Sequence, residues 1–178
     1  MSGHNKWSQI KRQKGVSDAK KSKIFSKLVR YIAVEAKLSG GSESPGLRAA
    51  IEKAKKVNMP ADNIERAIKK ATEPGAHMDM ITYEAYGPGG VGIIIETLTD
   101  SKNRTAPEIK HILSKNGYAL AGIGSVSWSF TKEMTTEGTS WKPNMFIPLS
   151  DEDLVLLDKL VEDLENDDDV QDVYTNAE

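Results

Sequence analysis

The hydrophobic period of this 178-residue chain first changes across residues 72–80, TEPGAHMDM. Apolar positions that recur every three or four residues make one face of a helix, and positions that alternate make one face of a strand, so no single element can carry both patterns. The first part is helical. From Ser17 or Asp18, both good N-cap types, Ile24, Phe25, Leu28, Val29, Ile32 and Ala36 form one stripe that Gly40-Gly41 ends. A second helix is predicted from Ser44, with Pro45 in its first turn, to about Val57; its apolar side is Leu47, Ala50, Ile51 and Ala54. Pro60 opens a third, with Ile64, Ala67, Ile68 and Ala71 inward and Arg66, Lys69 and Lys70 outward. Three amphipathic helices with brief connections predict a small bundle within residues 1–75, and residues 72–80 a linker.

Beyond the linker, Ile81, Tyr83 and Ala85 alternate, Gly87-Pro88-Gly89-Gly90 forces a turn, and Val91 to Leu98 reads as a buried strand. Thr105 to Glu108 fits a capping box with Pro107 in the first turn, and Ile109, Ile112 and Leu113 give that helix its core side up to Gly117. Strands are predicted at Gly124–Phe130 and near Met145–Leu149. Ser150 then caps a helix with Leu154, Leu157, Leu160, Val161 and Leu164 inside, and Val170, Val173 and Tyr174 make a last strand. The predicted fold class is α+β: an amino-terminal three-helix domain, then an α+β sandwich over residues 81–178 with helices on one face of a mainly antiparallel sheet.

Charge divides along the same line. Residues 1–75 hold 17 Lys and Arg against 7 Asp and Glu, a net +10, whereas residues 76–178 carry −12, so the total of −2 conceals two electrostatically different halves. Within the first thirty residues nine cations face Asp18 alone. Such an arm seeks polyanions, and Trp7, with His4 nearby, can stack on a base while cations hold phosphates. The candidate nucleic-acid-binding residues are therefore His4, Lys6, Trp7, Lys11, Arg12, Lys14, Lys20, Lys23, Lys27 and Arg30. Helical spacing places Lys23, Lys27, Arg30 and Lys37 opposite the apolar stripe. The alternative is a solvated tail that only aids solubility.

The remaining chemistry is sparse. His4, His77 and His111 have neither triad nor metal-ligand spacing, and His111 is expected to be exposed. Asp167-Asp168-Asp169 lacks the glycine and distal glutamate of a calcium loop and reads as a solvated helix-to-strand junction, so no metal is expected. The glycine-rich turn at residues 87–92 is followed by a strand, not by Gly-Lys-Ser/Thr and a helix, which disfavours a phosphate cradle. Lys102, Asn103 and Arg104 crowd a helix start and are a possible secondary anion contact, with a plain capped turn as the alternative. No nucleophile–base pair or carboxylate dyad stands out, so the expectation is a non-enzymatic protein without cofactors.

With no cysteine the chain has no disulfide, thiolate nucleophile or Cys-zinc site, and no apolar run approaches a membrane span. The start lacks an apolar signal core. A cytoplasmic location is expected; a mitochondrial one is the alternative, although the basic start is Lys-rich rather than Arg- and Ser-rich.

Five stretches carry a resemblance: SGHNKWSQIKRQKG with DAKKSKIFSKL, NMPADNIERAIKKA, YEAYGPGGVGIIIETLTDSKNRT, GSVSWSF and LENDDDVQDVYTN. In this order, over nearly the whole chain, they resemble the YebC/PmpR family. The resemblance implies a non-enzymatic DNA-binding transcriptional regulator or, alternatively, a translational activator that acts on the ribosome, which would bind rRNA through the basic arm. It also implies a helical domain followed by two α+β domains, one inserted in the other. Here the chain passes through KEMTTEGTS straight to WKPNMFIPLSDEDL, so the inserted third domain is expected to be missing near residues 131–140.

Overall fold

The computed structural model describes residues 18–135 and 138–178, with side chains described for 24–134 and 140–178. Three helices come first: α1 (Asp18–Leu38), α2 (Pro45–Lys56) and α3 (Ala61–Thr72). The Ser44 hydroxyl caps α2 by accepting the Leu47 amide at 3.1 Å, as its sequence position predicts. Gly40 and Gly41 leave α1 with positive φ, and the Gly41 amide closes the last turn on the Ala36 carbonyl at 2.7 Å. Both α2 and α3 pack on α1, around Ile32, Ala36, Leu47, Ala50, Ala54, Met59, Ile64, Ala67 and Ala71. Small residues let these helices approach closely: a Cβ on Gly46 would lie 2.0 Å from a Glu35 carboxylate oxygen.

The second unit runs β1 (Asp79–Tyr86), β2 (Gly92–Thr99), α4 (Lys102–Lys115), β3 (Phe130–Thr135), β4 (Gly138–Pro143), α5 (Asp151–Glu165) and β5 (Val170–Thr175). The fold is α+β. Three strands form an antiparallel sheet in the order β1-β2-β5, and β3 and β4 form a separate antiparallel hairpin. Strand β2 is central and buried at all eight positions, which explains its continuous apolar run. Ile93 and Ile95 join Ile109 and Leu113 of α4 and Leu157, Leu160, Val161 and Leu164 of α5 in the main core. The other face carries Ile94, packed with Val126 and Phe130 and flanked by Ala121, Trp141 and Tyr174.

Three expectations need correction. Residues 124–129 form turns and a 3-10 turn at Ser127–Ser129 rather than a strand; the strand begins at Phe130 and continues into residues read as a mere connection. The stretch Met145–Leu149 is irregular and touches the sheet margin through one parallel bridge, Ile147 to Ala177. Helix α4 starts at Lys102 with Ser101 as N-cap, so Thr105 is no cap: its hydroxyl donates to the Ser101 carbonyl at 3.1 Å and to Asp169 at 2.7 Å. A buried carboxylate outcompeted the local capping geometry for that hydroxyl.

Candidate nucleic-acid interface

Most of the arm's candidates, His4, Lys6, Trp7, Lys11, Arg12 and Lys14, lie outside the described residues, as do the side chains of Lys20 and Lys23 on the first turns of α1. Lys27 and Arg30 are described, and neither is fully solvent-facing. From Ile24 to Tyr31 every residue of α1 is half-buried, because α2 and α3 cover one side and the helix also meets β2 and β5. The face opposite the apolar stripe is thus partly an internal boundary between the two units. Farther along, Lys37 is exposed and its ammonium donates to the Ala76 carbonyl in the linker.

Arg30 makes a specific long-range contact. Its guanidinium donates to the Asp169 carboxylate, a group with a side-chain exposure of only 3%. Asp169 also accepts the Thr105 hydroxyl at 2.7 Å, the Thr99 hydroxyl at 3.1 Å and Arg104 Nη2 at 3.0 and 3.1 Å. Its backbone is held as well: the carbonyl accepts the Leu98 amide at 2.8 Å, and the amide donates to Asp167 at 2.8 Å. Burial alone would raise the Asp169 pKa, but the hydrogen bonds from Thr105 and Arg104, the Arg30 charge and the Thr99 hydroxyl together hold it below the usual carboxylate range. The acidic run is therefore not a uniformly solvated junction. Its last member is a buried hub.

Glu108, Asp167 and Asp169 bring three carboxylates within 4.8 Å of one another. Two arginines already occupy this cluster: Arg104 reaches Glu108 at 3.8 Å as well as Asp169, and the Arg30 charge lowers the pKa of both Glu108 and Asp167 against the larger, raising effect of burial. Resident guanidinium groups provide the charge compensation that a cation would otherwise supply.

The possible secondary anion contact is similarly matched. Lys102 lies 3.4 Å from Asp79, and Arg104 bridges Asp100 at 2.9 Å and Asp169. Asn103 is exposed at the start of α4, and His111 is exposed as expected. By contrast, Lys55 and Lys56 at the end of α2 and Arg66, Lys69 and Lys70 on α3 are exposed cations that the candidate set omitted. Helical spacing had placed the three α3 residues outward. In the sequence the denser charge of the arm masks them.

Two buried glutamates shape the far side of the sheet. Glu84 accepts the backbone amides of Gly124, Val126 and Ser127 at 2.8, 2.6 and 2.9 Å, which fixes the loop that follows α4. Burial raises its pKa, but these three amides together with the Ser127 hydroxyl outweigh that effect and leave it lowered. Glu96 accepts the Trp141 indole N–H at 2.8 Å, tying the hairpin to the sheet, and burial pushes its pKa up. Among the described residues no helix is long and apolar enough to cross a membrane.

Comparison with known proteins fits this two-part arrangement. The family profile for the TACO1/YebC protein N-terminal domain matches residues 5–74, and that for the TACO1/YebC second and third domain matches residues 78–135 and 131–177. A probable transcriptional regulatory protein of Fervidobacterium nodosum is 50% identical over 96% of this chain and 68% of its own length. One from Chlorobaculum parvum is 48% identical over 94% and 67%, and one from Petrotoga mobilis 54% over 75% and 55%. The chain thus spans about two-thirds or less of the length of these relatives. The crystal structure of a conserved hypothetical protein from Aquifex aeolicus aligns with a TM-score of 0.85 at 33% identity, covering 97% of this chain and 96% of that one. Matched by profiles along nearly its whole length and by relatives at about half identity, the chain belongs to the TACO1/YebC family.

Proposed function

We propose that this chain is a non-enzymatic regulator of gene expression that binds nucleic acid through its basic amino-terminal part. The observation that carries the reading is the segregation of charge: residues 1–75 carry +10, and Lys37, Lys55, Lys56, Arg66, Lys69 and Lys70 are solvent-exposed on the helical unit. In the α+β unit, Lys102, Arg104 and Lys115 instead sit beside carboxylates. The names of the relatives, probable transcriptional regulatory proteins, favour DNA as the target and regulation over catalysis. In this reading Lys6, Lys11, Arg12, Lys14, Lys20, Lys23 and Lys27 hold phosphates and Trp7 stacks, with His4 beside it. Arg30, Lys102 and Arg104 are left out of the set because carboxylates already engage them. The two-domain division, with the inserted domain of longer relatives missing at the β3–β4 hairpin, and a cytoplasmic location belong to the same proposal.

A second reading is a translation factor that binds rRNA on the ribosome. One structural observation favours it: α2 and α3 pack chiefly on α1, so they do not form the self-contained helix pair that inserts a reading helix into the major groove. A cationic arm with a stacking aromatic suits folded RNA.

Deleting residues 2–16 tests both. Binding to duplex DNA and to an rRNA fragment is titrated against salt, where each phosphate contact on DNA contributes a log–log slope of about −0.9. Loss of affinity together with a shallower slope is expected. Unchanged binding would refute the assignment to the arm. Sedimentation with ribosomes at low salt, against promoter occupancy in cells, separates the two targets.

A further inference from the structure

Arg30 has the charge and helix position of a phosphate contact, yet its guanidinium is turned into the protein. Its acceptor is built to stay still: Asp169 is held through its amide, its carbonyl and two buried hydroxyls before Arg30 arrives. Arg104 approaches the same carboxylate from α4, so one buried acid joins α1 of the helical unit to β2, α4 and the α5–β5 junction of the other. The bond spans 139 residues of sequence. A planar guanidinium bonded to a fixed carboxylate restricts direction as well as distance, unlike a flexible ammonium.

We propose that Arg30 is a positioning residue, which through Asp169 sets the orientation of the cationic helical unit against the α+β unit and so presents its lysines to one continuous polyanion. The orienting role stands on the geometry alone, whereas its effect on affinity rests on the nucleic-acid reading given above. It makes an unusual demand on Asp169: neutralising an acid near a polyanion site ordinarily strengthens binding, but here it weakens it.

Because the chain contains no cysteine, spin labels can be placed at Glu65→Cys on α3 and Lys110→Cys on α4, both exposed positions, in the full chain. The wild-type background should give one narrow distance, and Arg30→Gln and Asp169→Asn should each broaden or shift it, with circular dichroism confirming that the helices persist. If the competent orientation falls to about a tenth of the population, affinity for duplex DNA or the rRNA fragment falls about tenfold at every salt concentration, with the log–log slope unchanged. A phosphate-contacting Arg30 would instead make the slope shallower by about 0.9 on DNA in Arg30→Gln. That slope change, or tighter binding by Asp169→Asn, overturns the proposal. An unchanged distance distribution in both variants overturns it as well, independently of any ligand. If the wild type binds neither nucleic acid, the functional reading fails while the label distances still decide the orienting role.

Discussion

Replacing Glu96 by Gln should stabilise this protein at neutral pH, although the wild-type side chain makes a good hydrogen bond. Glu96 is 6% exposed on the central strand, directly opposite Asp172 of β5. Its compensation is the Trp141 indole at 2.8 Å and the charge of Lys132, whose ammonium lies 5.1 Å from the centre of the Trp141 ring. Desolvation by burial outweighs these and, with the like charge of Asp172, raises the pKa above the ordinary 4.5. Ionisation therefore destabilises the fold. The penalty is absent below the unfolded value near 4.5, grows as pH rises through the interval up to the folded value, and then stays constant. Glutamine keeps an oxygen for Trp141, supplies donors toward the Asp172 side and removes the desolvated charge. Imperfect compensation of a buried polar group costs on the order of 1 kcal/mol, so a gain of about that size is expected at pH 7. For a chain of this size that raises Tm by about 2–4 °C. Calorimetry or urea unfolding of both proteins from pH 4 to pH 8 measures it. A gain that is equally large at pH 4, or a loss at pH 7, would show that ionisation is not what strains this site.

Other expectations follow from neighbouring parts of the fold. Glu84→Gln removes the charge that gathers three amides, so stability at pH 7 should fall by about 2 kcal/mol and the amides of Gly124, Val126 and Ser127 should lose hydrogen-exchange protection. Because the folded pKa of Glu84 is lowered, its contribution is present above 4.5 and is lost as pH falls through the folded value; a variant difference that grows on acidification contradicts this account. Ile95→Ala empties a fully buried site on the central strand and should cost about 2–5 kcal/mol in urea unfolding, whereas a cost under about 1 kcal/mol would mean that the core collapses around the gap.

The helices and their caps were legible because they are local. Ser44 and Ser150 cap α2 and α5 through hydroxyls that accept amides three residues on, and the periodic stripes of α1 to α3 fill one core. The apolar run of β2 announced a buried strand for the same reason. The hairpin was harder to read. Its first strand has four consecutive exposed residues, Thr131 to Met134, and so no one-sided alternation, and Trp141 reveals its role only when it meets Glu96 from 45 residues away. Thr105 looked like a cap because the competing acceptor, Asp169, lies 64 residues downstream.

Sequence by itself determined where the first helices give way to strands and where the charge changes sign, since period and charge are properties of neighbouring residues and both change at residues 72–80. Tertiary structure alone decided which charges remain available. Lys69 and Arg30 are both cations on amphipathic helices, yet one is exposed and the other is bonded to a buried carboxylate. The difference lies in what packs against each helix: the desolvated Asp169 requires a partner, and only the folded arrangement brings Arg30 within its reach.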